Sequence, residues 1–218
     1  MQLTGEARAM FMASAHQRSH PAGAELIREA DRDRRVFLML AGEADVLAHS
    51  PEGRMVLFSR VVPGDLVGIL AAIDGGARST SVVARDAGRT AWVSPQDFQR
   101  LMREPDFAGA IHLHFVGLIR GLSERVYEFG TLLVRERLVR ELLRLLAAPG
   151  DGPHLLDPAP SHMELAARIA THREAVSREM SRLARLGVLE RRGRSLHVPS
   201  RARLAAALDT GEQIRPEP

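Results

Sequence analysis

The chain has 218 residues, 45% hydrophobic and 26% charged, an ordinary balance for a soluble globular protein of one large or two modest domains. It contains no cysteine, which excludes disulfides, thiol chemistry and cysteine-held zinc or iron–sulfur clusters. No stretch reaches the roughly 18 apolar residues of a membrane span, and no basic, apolar leader opens the chain, so a cytoplasmic protein with no membrane partner is expected.

The net charge of +3 is unevenly spread. Residues 161–203 carry ten Arg against four Glu, a local charge of +6, whereas residues 1–160 come to −1. That division points to a neutral module joined to a basic one whose partner is a polyanion.

From residue 36 to 93, short apolar runs alternate with glycine turns, as in "VFLMLAGEADVLAHSPEGRMVLFSRVVPGDLVG" and then "STSVVARDAGRTAWVS". Turn signals about every ten residues predict an antiparallel β sandwich or roll. The pattern then becomes helical. Ile111, Phe115, Leu118, Leu122, Phe129 and Leu132 follow an alternating 4,3 repeat with Arg125 as the one charged intruder. One long helix or two would fit, and a seam of this length suggests a dimer interface, the alternative being that it packs on its own β module. "AAPGDGPHLLDPAP" reads as a hinge, and the polar "LDTGEQIRPEP" as a frayed tail. The expected divisions are a β module over 1–104, a dimerisation helix over 105–147, a hinge over 148–160, a basic domain over 161–200 and a tail over 201–218.

The basic domain reads as a winged helix-turn-helix. Ser161 with Glu164, and Thr171 with Glu174, each have the spacing of a capping box. The first helix would turn Leu165, Ala166 and Ile169 inward; the second, from His172 to about Leu186, would bury Ala175 or Val176, Met180, Leu183 and Leu186. Two short helices joined by a tight turn make a helix-turn-helix. "GVLERRGRSLHV" then reads as a strand, a turn at Gly193 and a strand, with Arg191, Arg192 and Arg194 on a wing close to phosphates. Thr171 and His172 lie in the turn. Arg173 and Glu174 occupy the first turn of the second helix, with Ser177 and Arg178 one turn later, where side chains reach base edges in the major groove. An Arg fork can bond O6 and N7 of guanine, and a carboxylate can accept from N4 of cytosine. Arg182, farther along, suits a phosphate. The bland alternative is a solvated helix held by a Glu174–Arg178 pair, which leaves the local excess of positive charge unexplained.

In this order of β-roll, long helix and C-terminal winged helix, the chain resembles the Crp/Fnr family of bacterial transcription regulators. Arg173, Glu174 and Arg178 match that family's Arg-Glu-x-x-x-Arg recognition motif. The resemblance implies an α+β fold, with an N-terminal antiparallel, jelly-roll-like β-roll, a dimerisation helix and a winged helix-turn-helix. It also implies a homodimer on double-stranded DNA bearing a TGTGA-like inverted repeat, with RNA polymerase as a further partner. Residues 63–84, "PGDLVGILAAIDGGARSTSVVA", resemble the family's phosphate-binding cassette. On that resemblance Arg78 meets a cyclic phosphate, aided by Ser79 and the backbone around Gly68 and Leu70, with Ile69 and Thr80 beside them.

Two departures follow from the resemblance. Members that bind cyclic AMP have Gly-Glu where this chain has Gly68-Ile69, and Thr-Ser where it has Leu122-Ser123. Each lost partner of a buried hydroxyl costs about 1–3 kcal/mol, so cyclic AMP should bind more weakly by roughly two to three orders of magnitude. The expected effector is therefore another small molecule, or none, the β-roll then serving as a protein-interaction module. Haem is disfavoured: His16 and His20 precede Pro21, and His112 and His114, two apart on a helix, do not face one site. A cupin-type metalloenzyme would need clustered ligands on strands, where the predicted strands offer only His49. No enzymatic activity, metal or resident cofactor is expected.

Overall fold

In the computed structural model, described over residues 3, 5–50, 55–146 and 152–208, the chain forms two compact units, Met1–Ser123 and Glu124–Pro218. The first opens with helix α1 (Gly5–Ala13) and strands β1 (His16–His20), β2 (Glu25–Ile27), β3 (Val36–Ala41), β4 (Ala44–His49), β5 (Met55–Val61) and β6 (Leu66–Val67). Helix α2 (Ile69–Asp74), strands β7 (Ser81–Ala84) and β8 (Gly88–Val93), helix α3 (Pro95–Leu101) and the start of helix α4 (Pro105–Thr131) follow. The strands pair antiparallel into two four-stranded sheets, ordered β1-β8-β3-β6 and β2-β7-β4-β5.

Strand β3 explains its own sequence. Val36 and Leu38 pack with Phe11, Ile69, Phe98 and Ile111 from the helices covering one face. Phe37 and Met39 face the other sheet, packing with Leu26, Ile27, Val61 and Val82. A strand buried on both faces reads as a continuous apolar run, which is why "VFLML" shows no alternation. The β module begins earlier than residue 36. Strand β1, "HQRSH", is a sheet edge with four of its five residues exposed, so it carries no hydrophobic signature.

The helical segment over 105–147 is two helices. Helix α5 (Val134–Leu145) starts afresh after Leu133, whose backbone N–H donates to the Glu136 carboxylate at 2.7 Å. The second unit continues with strand β9 (His154–Leu156), helices α6 (His162–Arg168) and α7 (Arg173–Arg185), strands β10 (Glu190–Arg192) and β11 (Ser195–Val198), and helix α8 (Arg201–Ala206). The hairpin is joined by a third strand in the order β10-β11-β9, so part of the expected hinge is structural; residues 147–151 lie outside the described residues. Part of the expected tail is structural too, because Leu204 of α8 is fully buried, while residues 209–218 lie outside the described residues. Leu138, Leu142, Leu165, Val176, Leu183 and Leu196 form one core. Leu165, Ala166 and Ile169 are buried as expected, as are Val176, Met180 and Leu183. Leu186, expected inward, is 38% exposed because it caps α7 beyond the last turn that packs.

Beside this core lies a buried cluster of charges. Glu141 of α5 accepts from Arg168 of α6 at 3.1 Å and from Arg144 at 3.2 Å. Glu128 of α4 pairs with Arg144 and lies 3.7 Å from Arg140. Arg168 also reaches Glu164 at 3.2 Å. Arg125, the charged intruder in the apolar repeat, donates to the Arg168 carbonyl at 3.1 Å and lies 4.0 Å from Glu141. Burial pulls Arg125 below arginine's ordinary pKa, with Glu141 opposing.

Removing one partner of a buried ionic group strands the others without compensation, at about 3–5 kcal/mol. Arg168 keeps Glu164 and Arg144 keeps Glu128, so Glu141→Ala should cost less than that, about 1.5–3 kcal/mol of unfolding free energy for the lost charge-assisted bonds, whereas Arg140→Ala, at the exposed rim of the cluster, should change it by less than about 1 kcal/mol. Urea denaturation followed by helical circular dichroism checks both.

Candidate nucleic-acid interface and effector cavity

The helix-turn-helix is set by local backbone chemistry. The Ser161 hydroxyl caps α6, accepting from the Glu164 N–H at 3.0 Å. Ile169 ends that helix, Ala170 takes a left-handed φ of 51°, and the Thr171 N–H returns to the Ala166 carbonyl at 3.0 Å. The second expected capping box does not form. Thr171 is spent in the turn, and the residue capping α7 is His172, which makes no side-chain cap bond.

Helix α7 buries Val176, Met180 and Leu183 and leaves Arg173, Glu174 and Arg178 exposed, with Ser177 half-buried among them. The spacing i, i+1, i+4, i+5 puts these four on one side. No carboxylate pairs with Arg173 or Arg178 among the described residues, and the Glu174–Arg178 pair is absent there. Arg182 differs: its Nε donates to Glu179 at 2.7 Å, so it is already partnered within the helix.

The three wing arginines are not equivalent. Arg192 pairs with Glu190 at 2.7 Å and Arg194 with Asp157 at 3.3 Å. Among the described residues Arg191 bonds to the Gly193 carbonyl, at 3.3 Å, and pairs with no carboxylate. Sequence reasoning missed His162, the first residue of α6. Its pKa is lowered first by burial and then by the charges of Arg191 and Arg173, so three cationic or titratable groups from α6, α7 and the wing converge. A histidine without a motif gives no signal of this; only the folded turn brings it there.

In the first unit a cavity of about 330 Å³ lies beside α2 and β7. Its walls include Ile27, Val46, Val61, Val67, Ile69, Leu70 and Val82, with His114, Phe115, Gly117 and Leu118 of α4. Gly68, Ile69, Leu70, Arg78, Ser79 and Thr80, the residues the resemblance placed around an effector, all line it; Leu122 and Ser123 do not. Arg78 is 4% exposed. Its Nη1 donates to the Gly68 carbonyl at 2.8 Å and its Nη2 to the Arg35 carbonyl at 2.6 Å, while its buried Nε–H has no partner. Arg35 is itself fixed by Asp33 and by the Phe37 and Trp92 rings. Burial pulls the Arg78 pKa down, opposed by the more distant Asp33 and Asp31. Gly68 has to be glycine: its φ is +84°, and a Cβ would fall 2.5 Å from the Arg78 Nη1.

The expected dimer seam needs correcting at its start. Ile111 is fully buried in its own unit, with Phe115 packed against the same core. Leu118, Leu122 and Phe129 are exposed and Leu132 half-buried, Phe129 lying under the Arg137 guanidinium. The most exposed apolar residues of α4 are Leu113, Ile119, Val126 and Tyr127, with Val116 among them. The open apolar face of α4 thus holds Val116, Ile119 and Val126 beside Leu118, Leu122 and Phe129 of the repeat read from the sequence. A periodic apolar face does not say whether its cover is the same chain or another.

Comparison with known proteins agrees with both units. Residues 17–104 match the cyclic nucleotide-binding domain and residues 136–207 the Crp-like helix-turn-helix domain. The chain is 30% identical to the cyclic AMP receptor protein of Thermus thermophilus over 176 residues, covering 79% of each protein. It is 24% identical to the cAMP-activated global transcriptional regulator CRP of Escherichia coli over 192 residues, covering 86% of this chain and 91% of that one. The fold superposes on the c-di-GMP responsive global regulator CLP of Xanthomonas campestris with a TM-score of 0.78 at 22% identity, over 88% of this chain and 98% of that one. The chain belongs to the Crp/Fnr family of transcription regulators.

Proposed function

We propose that the protein is a homodimeric regulator that reads a TGTGA-like inverted repeat through Arg173, Glu174 and Arg178, under the control of an effector in the β-roll cavity. The observation that carries this reading is the unpaired, exposed set on α7 flanked by Arg191. Arg173 and Arg178 read guanines and Glu174 a cytosine, Ser177 supports them, and Arg191 holds a phosphate. Thr171 and His172 lie at the entry of the helix, where backbone and phosphate meet. Arg182, Arg192 and Arg194 contribute less than unpaired arginines would, since each already answers a carboxylate. RNA polymerase is the natural partner of such a regulator.

Two copies would meet along the open apolar face of α4. Half-sites one helical turn apart, about 34 Å, then face the two recognition helices. The effector would bias the pair between two states by its differential affinity for them.

Fluorescence anisotropy on a labelled TGTGA inverted-repeat duplex tests the reading. Arg178→Ala should lose about 1–3 kcal/mol of discrimination at one base position, whereas Arg191→Ala should weaken all sequences alike and lower the salt slope by about one. Equal behaviour of the two variants would overturn the division between base reader and phosphate clamp. Ile119→Glu should yield a monomer in sedimentation velocity and lose tight operator binding. A phosphate near His162 favours its protonated form, so binding takes up a proton and the complex should tighten as pH falls through the range near the ordinary histidine value of about 6.5. His162→Gln should flatten that dependence in titrations between pH 5.5 and 8.

A further inference from the structure

The β-roll cavity holds a cation in an unusual setting. Arg78 is almost wholly buried, yet no carboxylate lies within ion-pair distance of it among the described residues. Two of its N–H groups brace main-chain carbonyls and its Nε–H is left over. Burying a charge without a counter-charge is costly, and an anion brought by a ligand is the direct remedy.

The remaining polar groups limit what that ligand can be. Arg60 is engaged with Glu43 and Asp45, Asp65 accepts from the Val62 N–H at 3.0 Å, and Ser59 and His114 are the other polar side chains of the lining. Ser79 and Thr80, beside Arg78 in sequence, are left for the same anionic end. The other walls are largely side chains such as Ile69, Leu70, Val82 and Phe115. A ribose hydroxyl or a purine edge placed against those walls would leave buried polar groups unpaired, at about 1–3 kcal/mol each. An apolar body there loses nothing and gains about 25 cal/mol per Å² removed from water. The volume is at the lower end for small-molecule sites, about 300–1,000 Å³.

We propose that the cavity takes a small carboxylic acid with an apolar aliphatic or aryl body, its carboxylate on Arg78 with Ser79 and Thr80, rather than a cyclic nucleotide. This rests on the reading of the β-roll as an effector module and specifies its ligand class. Because Arg78 also ties Gly68 to Arg35, a bound carboxylate would draw on the group that fixes the start of α2, and so report occupancy to the main chain.

Isothermal titration of the full-length protein tests this with octanoate and 3-phenylpropionate, with the neutral 3-phenylpropionamide, and with cyclic AMP. The acids should bind saturably and the amide at least about tenfold more weakly. Leu70→Glu, a change at a half-exposed wall residue that should leave the melting curve intact, puts a second negative charge at the cavity and should weaken both acids at least about tenfold. Cyclic AMP binding more tightly than either acid, or an amide equal to its acid, overturns the ligand class while leaving the effector reading in place. Failure of both acids to bind overturns the ligand class whatever cyclic AMP does, and leaves the effector reading standing apart from it. Operator binding, followed by anisotropy on the same preparation, reports the DNA reading separately.

Discussion

Glu141 is the point on which the second unit turns. Its two oxygens receive Arg168 from α6 and Arg144 from its own helix. Arg125 and Arg137 add bonds to the carbonyls of Arg168 and Ile169, the last residues of α6. The end of the first helix of the helix-turn-helix is therefore gripped through side chain and main chain at once. Hydrophobic packing of Leu165 and Val176 resists separation of the helices but is indifferent to small rotations. Charge-assisted bonds are directional, and these hold the end of α6 against α4 and α5. A buried ionic cluster is seldom a gain in stability over apolar packing.

The arginines differ in whether a carboxylate already answers them. Arg168, itself buried, and the more open Arg144 and Arg125 converge on the buried Glu128 and Glu141; Arg182, Arg192 and Arg194 answer carboxylates nearer the surface. Among the described residues Arg173, Arg178 and Arg191 answer none. With 30 arginines and no lysine in the chain, abundance alone says nothing about which cations face a ligand. Arg78 extends the contrast to the first unit, where among the described residues no carboxylate lies within ion-pair distance of its buried guanidinium.

Much of this was legible beforehand. The glycine-punctuated runs gave the two sheets, and the apolar positions 165, 176 and 183 gave the helix-turn-helix, because burial imposes periodicities a sequence must carry. The cap at Ser161 followed from its spacing to Glu164. The same spacing at Thr171 misled, since the tight turn needs that residue one place before the true cap. The apolar repeat of α4 was real, but Ile111 and Phe115 belong to the cover of their own sheet. Strand β1 was silent because an edge strand needs no apolar face, and Arg125 looked like an interruption because its partners lie in α5 and α6. His162 acquires its neighbours only when three elements close together. What the sequence hides is tertiary pairing, above all which of many identical charges are already taken.

The start of α7 carries one more implication. The first amides of any helix lack partners within it, and here His172 supplies no side-chain acceptor to relieve them. Side-chain caps are worth about 1 kcal/mol, so the recognition helix begins with a deficit that its predecessor, capped by Ser161, does not have. A phosphate oxygen is an acceptor of the right charge for that end of a helix. The operator backbone would then complete the secondary structure of the protein that reads it, and the ordering of that first turn and the affinity for DNA would be one free energy seen from two sides.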